Sequence, residues 1–373
     1  MTFKRIFCCI WFMLFMGINA LFAIMLPEGT DAIISRVEKY PSGKIKSAEL
    51  SEPTELNTPI GKFTFGGTVT FHENGIIRSA GVTDYNYCIT IKTPAGEFAV
   101  SELSFYESGK PECFCLCEEG SVQTSIGELK VNGWVRLYES GNLYECNIGY
   151  DSVAIQNGKY AGIPISHKIS FYENGNIESF NPEEQMTTNI GKIKPIGTVR
   201  LYEDGNLRSA EIKTQVFDTL FGLLSLNSIE VFPSGKFKRI SISGSISITL
   251  PENYYMYNEI NKKSVGEKPY SFVSAFETNT IGFYEDGAVK WVKYTNRIED
   301  NRSAFYVFYN FGHIWFYKSG KPMGFGRVWY NNDRDEYRFE DMYCFSENGT
   351  FLGPAVLDNN SDTLKKAIQE KNK

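Results

Sequence analysis

The sequence has little histidine and none of the short motifs that mark the common enzyme classes. Its 373 residues include three histidines, His72, His167 and His313. They form no HExxH string and no Ser-His-Asp arrangement, and the chain has no glycine-rich phosphate-binding loop. These absences argue against metalloproteases, triad hydrolases and nucleotide-binding enzymes. We therefore predict a protein that is not an enzyme and that needs no cofactor.

Positive charge is also scarce. Lysine and arginine total 38 against 44 acidic residues, which gives a formal net charge of −6. No basic stripe stands out, so we predict that nucleic acid is not a partner.

The one long uncharged stretch lies at the N-terminus. Lys4 and Arg5 precede residues 6–26, which carry no charge. This order, followed by small residues, is typical of a secretory signal peptide over residues 1–23, with cleavage after Ala20 or Ala23. The prediction is export to the periplasm, the cell surface or the medium. The alternative is an uncleaved anchor, in which residues 6–26 would be the only segment to contact a membrane.

Cysteines are few, and their spacing does not match the usual zinc sites. Cys113, Cys115 and Cys117 alternate along a predicted strand, which places the three thiols on one face of the sheet. Three interpretations stay open: unreactive thiols, a cross-strand disulfide, or a metal site. The Asn331-Asp335 segment lacks the glycine and glutamate of a calcium loop, and we predict no metal site.

The most abundant pattern is a tetrapeptide of the form aromatic-Glu-(Asn/Asp/Ser)-Gly, or a close variant, which recurs ten times. Its glycines are Gly43, Gly75, Gly109, Gly141, Gly175, Gly205, Gly235, Gly287, Gly320 and Gly349. Successive glycines are 32, 34, 32, 34, 30, 30, 52, 33 and 29 residues apart. A fixed period in this range is typical of a repeat array. Pro41 and Pro233 stand at the second position, and the closing glycine supplies a positive φ, so we predict a hairpin turn at each copy.

The residues around each turn alternate between apolar and polar, as in half-buried antiparallel strands. Pairing across the turn places Phe71 opposite Ile77 and Leu137 opposite Leu143. The apolar positions change parity after each turn, which predicts a β-bulge in each descending strand. A second turn follows half a repeat later, for example at Thr58-Gly61 and Thr124-Gly127. The predicted fold is an all-β, elongated meander of antiparallel hairpins in one curved sheet, with two strands per repeat of about 32 residues.

The strings at 171–177 (FYENGNI) and 201–207 (LYEDGNL) resemble the variant MORN repeats of bacterial proteins. The resemblance covers roughly residues 36–356. It implies tandem aromatic hairpins and an interaction or scaffold role, and it carries no catalytic residues.

The one irregular spacing, 52 residues between Gly235 and Gly287, suggests how the chain is divided. We predict a regular array over residues 36–250 and an irregular insertion or degenerate repeat over 251–275. Aromatic-rich hairpins follow over 276–356, and a short helical or frayed tail over 361–373.

Three sets of residues are candidates for binding a partner. The first is the tyrosine row at the turns, and the second is the apolar tips of the second turns. The third is the aromatic C-terminal hairpins. The candidates are Tyr106, Tyr138, Tyr172 and Tyr202; Ile60, Ile126, Ile190 and Phe221; and Trp315 and Trp329. In each case a structural role is the competing interpretation: the tyrosines cover cross-strand neighbours, the tips pack on one another, and most of the C-terminal aromatics belong to the core.

We predict a non-enzymatic, exported repeat protein that binds a protein or cell-envelope partner. The alternative is a carbohydrate-binding module, or a glycan-acting enzyme, that uses the C-terminal hairpins.

Overall fold

A computed structural model describes residues 22–82, 88–219, 221–249, 255–257, 270–272, 275–294, 312–319, 322–331, 336–345 and 351–355. Every regular element in these residues is a β-strand, and every strand pairing is antiparallel. The prediction of an all-β meander of antiparallel hairpins is confirmed. The chain divides into two compact units, residues 1–183 with 203–205, and residues 184–202 with 206–373. This division falls inside the predicted regular array.

The first unit contains fourteen strands. They are β1 (Phe22–Met25), β2 (Asp31–Lys39), β3 (Ile45–Thr58), β4 (Gly61–Phe71), β5 (Ile77–Gly81), β6 (Ile89–Thr93), β7 (Gly96–Phe105), β8 (Pro111–Leu116), β9 (Gly120–Thr124), β10 (Gly127–Leu137), β11 (Leu143–Ile148), β12 (Val153–Ala154), β13 (Pro164–Phe171) and β14 (Ile177–Pro182). Strands pair in chain order from β1 to β5 and on through β7, β8, β10, β11, β13 and β14. The short strands β6, β9 and β12 pair with the far halves of β7, β10 and β13.

The second unit continues the same plan. Its strands are β15 (Met186–Thr188), β16 (Gly191–Ile193), β17 (Pro195–Leu201), β18 (Leu207–Thr219), β19 (Gly222–Val231), β20 (Phe237–Thr249), β21 (Tyr255–Tyr257), β22 (Tyr270–Phe272), β23 (Ala275–Phe283), β24 (Val289–Tyr294), β25 (Gly312–Phe316), β26 (Pro322–Asn331), β27 (Glu336–Phe345) and β28 (Phe351–Ala355). Strands β17 to β20 and β23 to β28 pair in order, while β15–β16 and β21–β22 form separate pairs.

The turn at each tetrapeptide has the predicted geometry. In the first copy the Tyr40 amide donates to the Lys44 carbonyl and the Gly43 amide donates to the Tyr40 carbonyl, at 2.8 and 2.9 Å. The glycines from Gly43 to Gly287 have φ between 75° and 98°. A Cβ would be strained in that backbone region, so glycine is favoured. Gly320 and Gly349 lie outside the described residues.

The predicted strand pairs and bulges are also confirmed. Phe71 pairs with Ile77, and Thr70 pairs with Ser79, so one extra residue stands in the descending strand. The same register shift lies beside the turns of β10–β11, β13–β14, β17–β18 and β19–β20. Because side chains alternate between the two faces of a strand, one extra residue shifts the alternation by one position. The apolar residues after the bulge therefore stay on the buried face although their spacing in the sequence changes.

The threonine of the second turn has a role that its sequence position did not reveal. The Thr58 hydroxyl donates to the Gly61 carbonyl oxygen at 2.7 Å and accepts from the Ile60 amide at 3.3 Å. The same two bonds recur at Thr93, Thr124, Thr188 and Thr219. The hydroxyl therefore closes the turn in place of backbone groups.

The strands of the first unit fold back on themselves. Pro59, next to the start of β4, lies against Gly109, where an added Cβ would be 2.9 Å from the proline Cγ. At the other end of β4, the His72 Nε2 lies 2.7 Å from the carbonyl oxygen of Phe105, in the same turn region as Gly109. A straight strand of eleven residues would separate its ends by roughly 35 Å. Strand β4 is therefore bent near its middle, where its register with β5 shifts.

This arrangement repeats with a fixed offset. In each case a residue in or next to a second turn, or in the turn before β2, lies over a tetrapeptide turn 46 to 50 residues later in the chain. The pairs are Pro27 with Gly75, Pro59 with Gly109, Pro94 with Gly141, Ser125 with Gly175 and Lys159 with Gly205 in the first unit, and Asn189 with Gly235 in the second. The offset is about one and a half repeats, and it places the second turns next to the tetrapeptide turns.

The core lies between the two halves of each folded hairpin. In the first unit Leu56 and Phe65 come from the half that ends in a threonine turn, and Val69 and Phe71 come from the other half. All four are fully buried. Folding back therefore covers the apolar face that a flat sheet of this kind would expose.

The bend has its own backbone signature. Gly67 and Gly133 stand five residues before the turn aromatics His72 and Tyr138, with φ of 66° and 71°. The corresponding position before Tyr172 is His167, with φ of 62°. Among the described residues, His167 is the one non-glycine residue with positive φ, and it is exposed.

Two of the predicted segments lie largely outside the described residues. Of residues 251–275, the structure describes only β21, β22 and the first residue of β23, and the predicted tail over 361–373 is not described. Residues 1–21 of the predicted leader also lie outside, whereas Phe22 and Ala23 open strand β1. Within the described part of the chain, no helix has the length and hydrophobicity needed to cross a membrane.

Candidate functional site

The tyrosine row lies between consecutive turns and is engaged within the protein. The hydroxyls of Tyr106, Tyr138 and Tyr202 donate to the carbonyl oxygens of Leu137, Phe171 and Val231, each at 2.8 Å. Each acceptor is the residue just before the next turn. The rings of these tyrosines and of Tyr172 are half-buried. His72 makes the equivalent contact where the pattern replaces tyrosine, which agrees with a structural role.

The environment of the row suits this structural role. Burial raises the pKa of Tyr106 and of Tyr138, and nearby Glu112 and Glu178 add to the effect. The phenols therefore stay protonated and able to donate at neutral pH. A ligand would meet half-buried rings here, and the hydroxyls of Tyr106, Tyr138 and Tyr202 are already engaged. Stacking of a ligand on this row stays a prediction.

The tips of the second turns do not form a uniformly exposed strip. Ile126 is 6% exposed, and Ile60 and Ile190 are half-buried. Phe221 differs, with 38% of its surface exposed and its ring 6.4 Å from that of Phe283. Most of the tips therefore pack against neighbouring turns, and Phe221 belongs to a different environment.

The hairpin that carries Phe221 exposes several large apolar side chains. On β18 Val216 is 63% exposed, and on β19 Leu223 is 74% exposed. Their register places Val216 opposite Ser225 and Leu223 opposite Asp218. We call Val216, Phe221 and Leu223 the apolar hairpin tip. At the positions that correspond to Val216 and Leu223, the other second-turn hairpins carry exposed polar residues such as Glu55 and Lys62, so two apolar residues there were a signal in the sequence that periodicity alone missed.

The C-terminal tryptophans are known only by their strand positions. Trp315 of β25 pairs with Trp291 of β24, and Trp329 of β26 pairs with Arg338 of β27. The side chains of Trp315 and Trp329 lie outside the described residues. A Cβ added at Gly282, opposite Trp291, would overlap the Trp291 indole, so this indole lies flat on the neighbouring strand.

The five cysteines whose side chains the structure describes form one disulfide and three free thiols, the third being the buried Cys146. Cys117 is bonded to Cys88, 29 residues away, and Cys113 and Cys115 remain free and half-buried on β8. Cys113 and Cys115 share the outward face, as predicted, since Phe114 and Leu116 are buried. Burial raises the pKa of both thiols, with Arg136 opposing the shift at Cys113. Among the residues that the structure describes, no group of three acidic, histidine or cysteine side chains is placed to hold a metal ion.

Comparison with known proteins provides no family. No protein-family model and no curated protein matches the chain. The solved structure "Crystal Structure of TcdB2-TccC3-TEV" aligns with 89% of this chain and 19% of its own, at 7% identity and a TM-score of 0.14. "Crystal Structure of TcdB2-TccC3 without hypervariable C-terminal region" aligns with 86% and 17%, at 8% identity and a TM-score of 0.12. The chain thus spans less than a fifth of either structure, and scores at this level carry no argument about function.

Proposed function

We propose that this is a non-enzymatic, exported binding protein, and that it contacts a protein partner through the apolar hairpin tip of the second unit. The observation that supports the proposal is the exposure of Val216, Phe221 and Leu223 on one hairpin. Large apolar side chains that cluster on a surface are typical of protein-contact sites. We also retain as a proposal that the repeats belong to the variant MORN type.

The surroundings of the tip indicate the character of the partner. The Lys194 amide donates to Gln215 Oε1 at 2.7 Å, and Gln215 in turn donates to the Lys192 carbonyl oxygen at 3.4 Å. This places two exposed lysines beside the strand that carries Val216, with exposed Lys213 two residues before Gln215. The lysines lie along one side of the apolar centre, and exposed Asp218 stands opposite Leu223, so the tip fits a partner surface that is apolar in the middle and acidic where it meets the lysines.

A photo-crosslinking residue at position 223 tests the proposal, with the same residue at Tyr150 as a control. Tyr150 is 89% exposed and belongs to the first unit. We expect a discrete protein adduct from position 223 that is absent from position 150 and is lost in Val216→Asp. Equal adducts at both positions, an adduct with lipid only, or an adduct that Val216→Asp leaves unchanged would contradict the proposal.

Export is part of this proposal, and the structure of β1 bears on the cleavage position. Ala23 pairs with Ile33 and Met25 pairs with Asp31. Cleavage after Ala20 would keep all four residues of β1, whereas cleavage after Ala23 would remove half of them. N-terminal sequencing of the processed protein should therefore begin at Leu21. A first residue of Ile24, or an intact Met1 in the exported fraction, would contradict this expectation.

The alternative function, carbohydrate binding through the C-terminal hairpins, stays a prediction. Trp315 and Trp329 are its test residues. Loss of glycan retention in Trp315→Ala or Trp329→Ala, with the crosslink at position 223 unaffected, would favour it over the protein-binding proposal.

A further inference from the structure

A cleft of about 500 Å³ opens on the outward face of the first unit. It crosses β4, β5, β7, β8 and β10. Its principal side chains are Ser79, Glu102, Ser104, Glu112, Trp134 and Arg136. The volume lies in the range of about 300–1,000 Å³ that is usual for small-molecule sites.

The floor of the cleft is a row of small polar residues in register. Ser79 pairs with Ser104, and Ser104 pairs with Cys113. Two residues further along these strands, Gly66 pairs with Gly81, and Gly81 pairs with Glu102. Apart from Glu102, these side chains are small, so the outer face is lower here than at the neighbouring turns. By itself such a row is only a shallow depression.

Trp134 turns the depression into a walled cleft. It stands on β10 opposite Cys115, which is in turn opposite Glu102, and it is 45% exposed. The position four residues before the turn aromatic is polar in the other well-described repeats, where it holds Thr68, Glu102, Lys168, Thr198 and Ser228. An indole at this position breaks the repeat pattern and adds nothing to the core. It faces solvent, and its strand position is two strand spacings, roughly 10 Å, from that of Glu102.

The cleft carries charges of both signs and offers no strong field of one sign to hold a highly charged ligand. Arg136 pairs with Cys113 on one side and Glu145 on the other, and its guanidinium lies near Glu112. Arg136 stands among two carboxylates, Glu102 and Glu112, so the attraction and repulsion that a highly charged ligand meets largely offset each other, and charge alone gives such a ligand little affinity. The remaining ligands are neutral molecules that both donate and accept hydrogen bonds. Hydroxyl, carboxylate and guanidinium groups are all present to serve them.

We infer that this cleft binds a short neutral saccharide, with one sugar ring stacked on Trp134 and its hydroxyls bonded to Glu102, Glu112 and Arg136. A sugar ring combines an apolar C–H face with a rim of hydroxyls. The face fits the exposed indole, because stacking on an aromatic ring hides apolar surface from water. The rim fits the mixed polar groups of the floor. This site is separate from the apolar hairpin tip and does not depend on the protein-binding proposal.

An array of neutral, anionic and cationic oligosaccharides is the first test of this inference, followed by calorimetric titration with neutral disaccharides such as cellobiose and diacetylchitobiose. We expect retention of neutral glycans only. Trp134→Ala should weaken binding about tenfold, a loss of about 1.4 kcal/mol at the stacking interface. Trp134→Phe should recover part of the affinity, and Tyr150→Ala is the matched control that should bind as the wild type does.

Several results would overturn the inference. These are no saccharide retained by the wild-type protein, charged glycans bound in preference, or equal affinities for wild type and Trp134→Ala. Circular dichroism of Trp134→Ala should match the wild type, since the indole is exposed, and Glu102→Gln provides a second variant that leaves the strand pairing intact. Loss of the crosslink at position 223 with normal saccharide binding would count against the protein-binding proposal alone.

Discussion

Gly141→Ala should destabilise the protein far more than Gly43→Ala, although both glycines occupy the same place in the same turn. Their φ values are 94° and 86°. Adding a Cβ in this backbone region costs about 1–2 kcal/mol at either position. The two sites differ in what the new methyl group would meet.

At Gly141 the added Cβ would lie 2.8 Å from Pro94 Cγ, whereas at Gly43 nothing lies within 4 Å. Carbon atoms prefer a separation of about 3.5–4.0 Å, and the proline ring cannot rotate away. Overpacking of this kind costs about 1–3 kcal/mol. We therefore expect a loss of about 2–5 kcal/mol for Gly141→Ala and about 1–2 kcal/mol for Gly43→Ala.

Urea denaturation followed by circular dichroism measures both losses, with the m-value checked for constancy. The double variant Gly141→Ala/Pro94→Ala removes the atom that clashes, so it should recover most of the difference. Equal losses at Gly43 and Gly141, or strictly additive effects in the double variant, would refute the packing of second-turn tips on later glycines.

Four further results are expected. His167→Gly should stabilise the protein by about 1 kcal/mol in urea denaturation, because glycine adopts the positive φ without strain; a destabilised variant would contradict the bend geometry. Tyr138→Phe should lower the free energy of unfolding by about 0.5–1.5 kcal/mol, because it removes the hydrogen bond to the Phe171 carbonyl, while Tyr150→Phe should leave the stability unchanged. Equal effects of the two changes would rule out a stabilising role for the tyrosine hydroxyls of the turns. Burial raises the pKa of Glu28 above its ordinary value of 4.5 in the folded state, so the free energy of unfolding should fall as pH rises through the pKa range of this carboxyl. Glu28→Gln should therefore be more stable than the wild type at pH 8, and the difference should shrink toward pH 4.5. A difference that does not depend on pH would contradict this prediction. Native-state iodoacetamide labelling should modify Cys113 and Cys115 before Cys146, whose pKa burial raises to about 12, and mass spectrometry showing Cys146 labelled first would contradict its burial.

The turns and strand pairs could be predicted from sequence because they obey local rules. The closing glycine, the proline at the second position and the alternation of apolar residues act over a few neighbours. These rules were enough to place Phe71 opposite Ile77 and to predict the bulge next to this pair. The regular spacing of the glycines then extended one hairpin to the whole array.

The candidate binding residues could be predicted less well, because exposure depends on what covers a side chain. Ile126 and Phe221 occupy the same position in their turns, yet one is buried and the other exposed. Trp134 was visible in the sequence as a break in a polar position, but the cleft beside it requires four other strands. The Cys88–Cys117 bond joins residues whose proximity no local pattern indicates.

The sequence by itself determined the hairpin unit, its period and its apolar face, because short-range backbone geometry decides each of these. Only the tertiary structure decided that the hairpins of the first unit fold back, so that Pro94 lies on Gly141 and the Tyr138 hydroxyl reaches Phe171, 33 residues away. These contacts form between repeats, and their partners are set by how far each hairpin bends. That angle depends on the packing of the buried core, which no single repeat encodes.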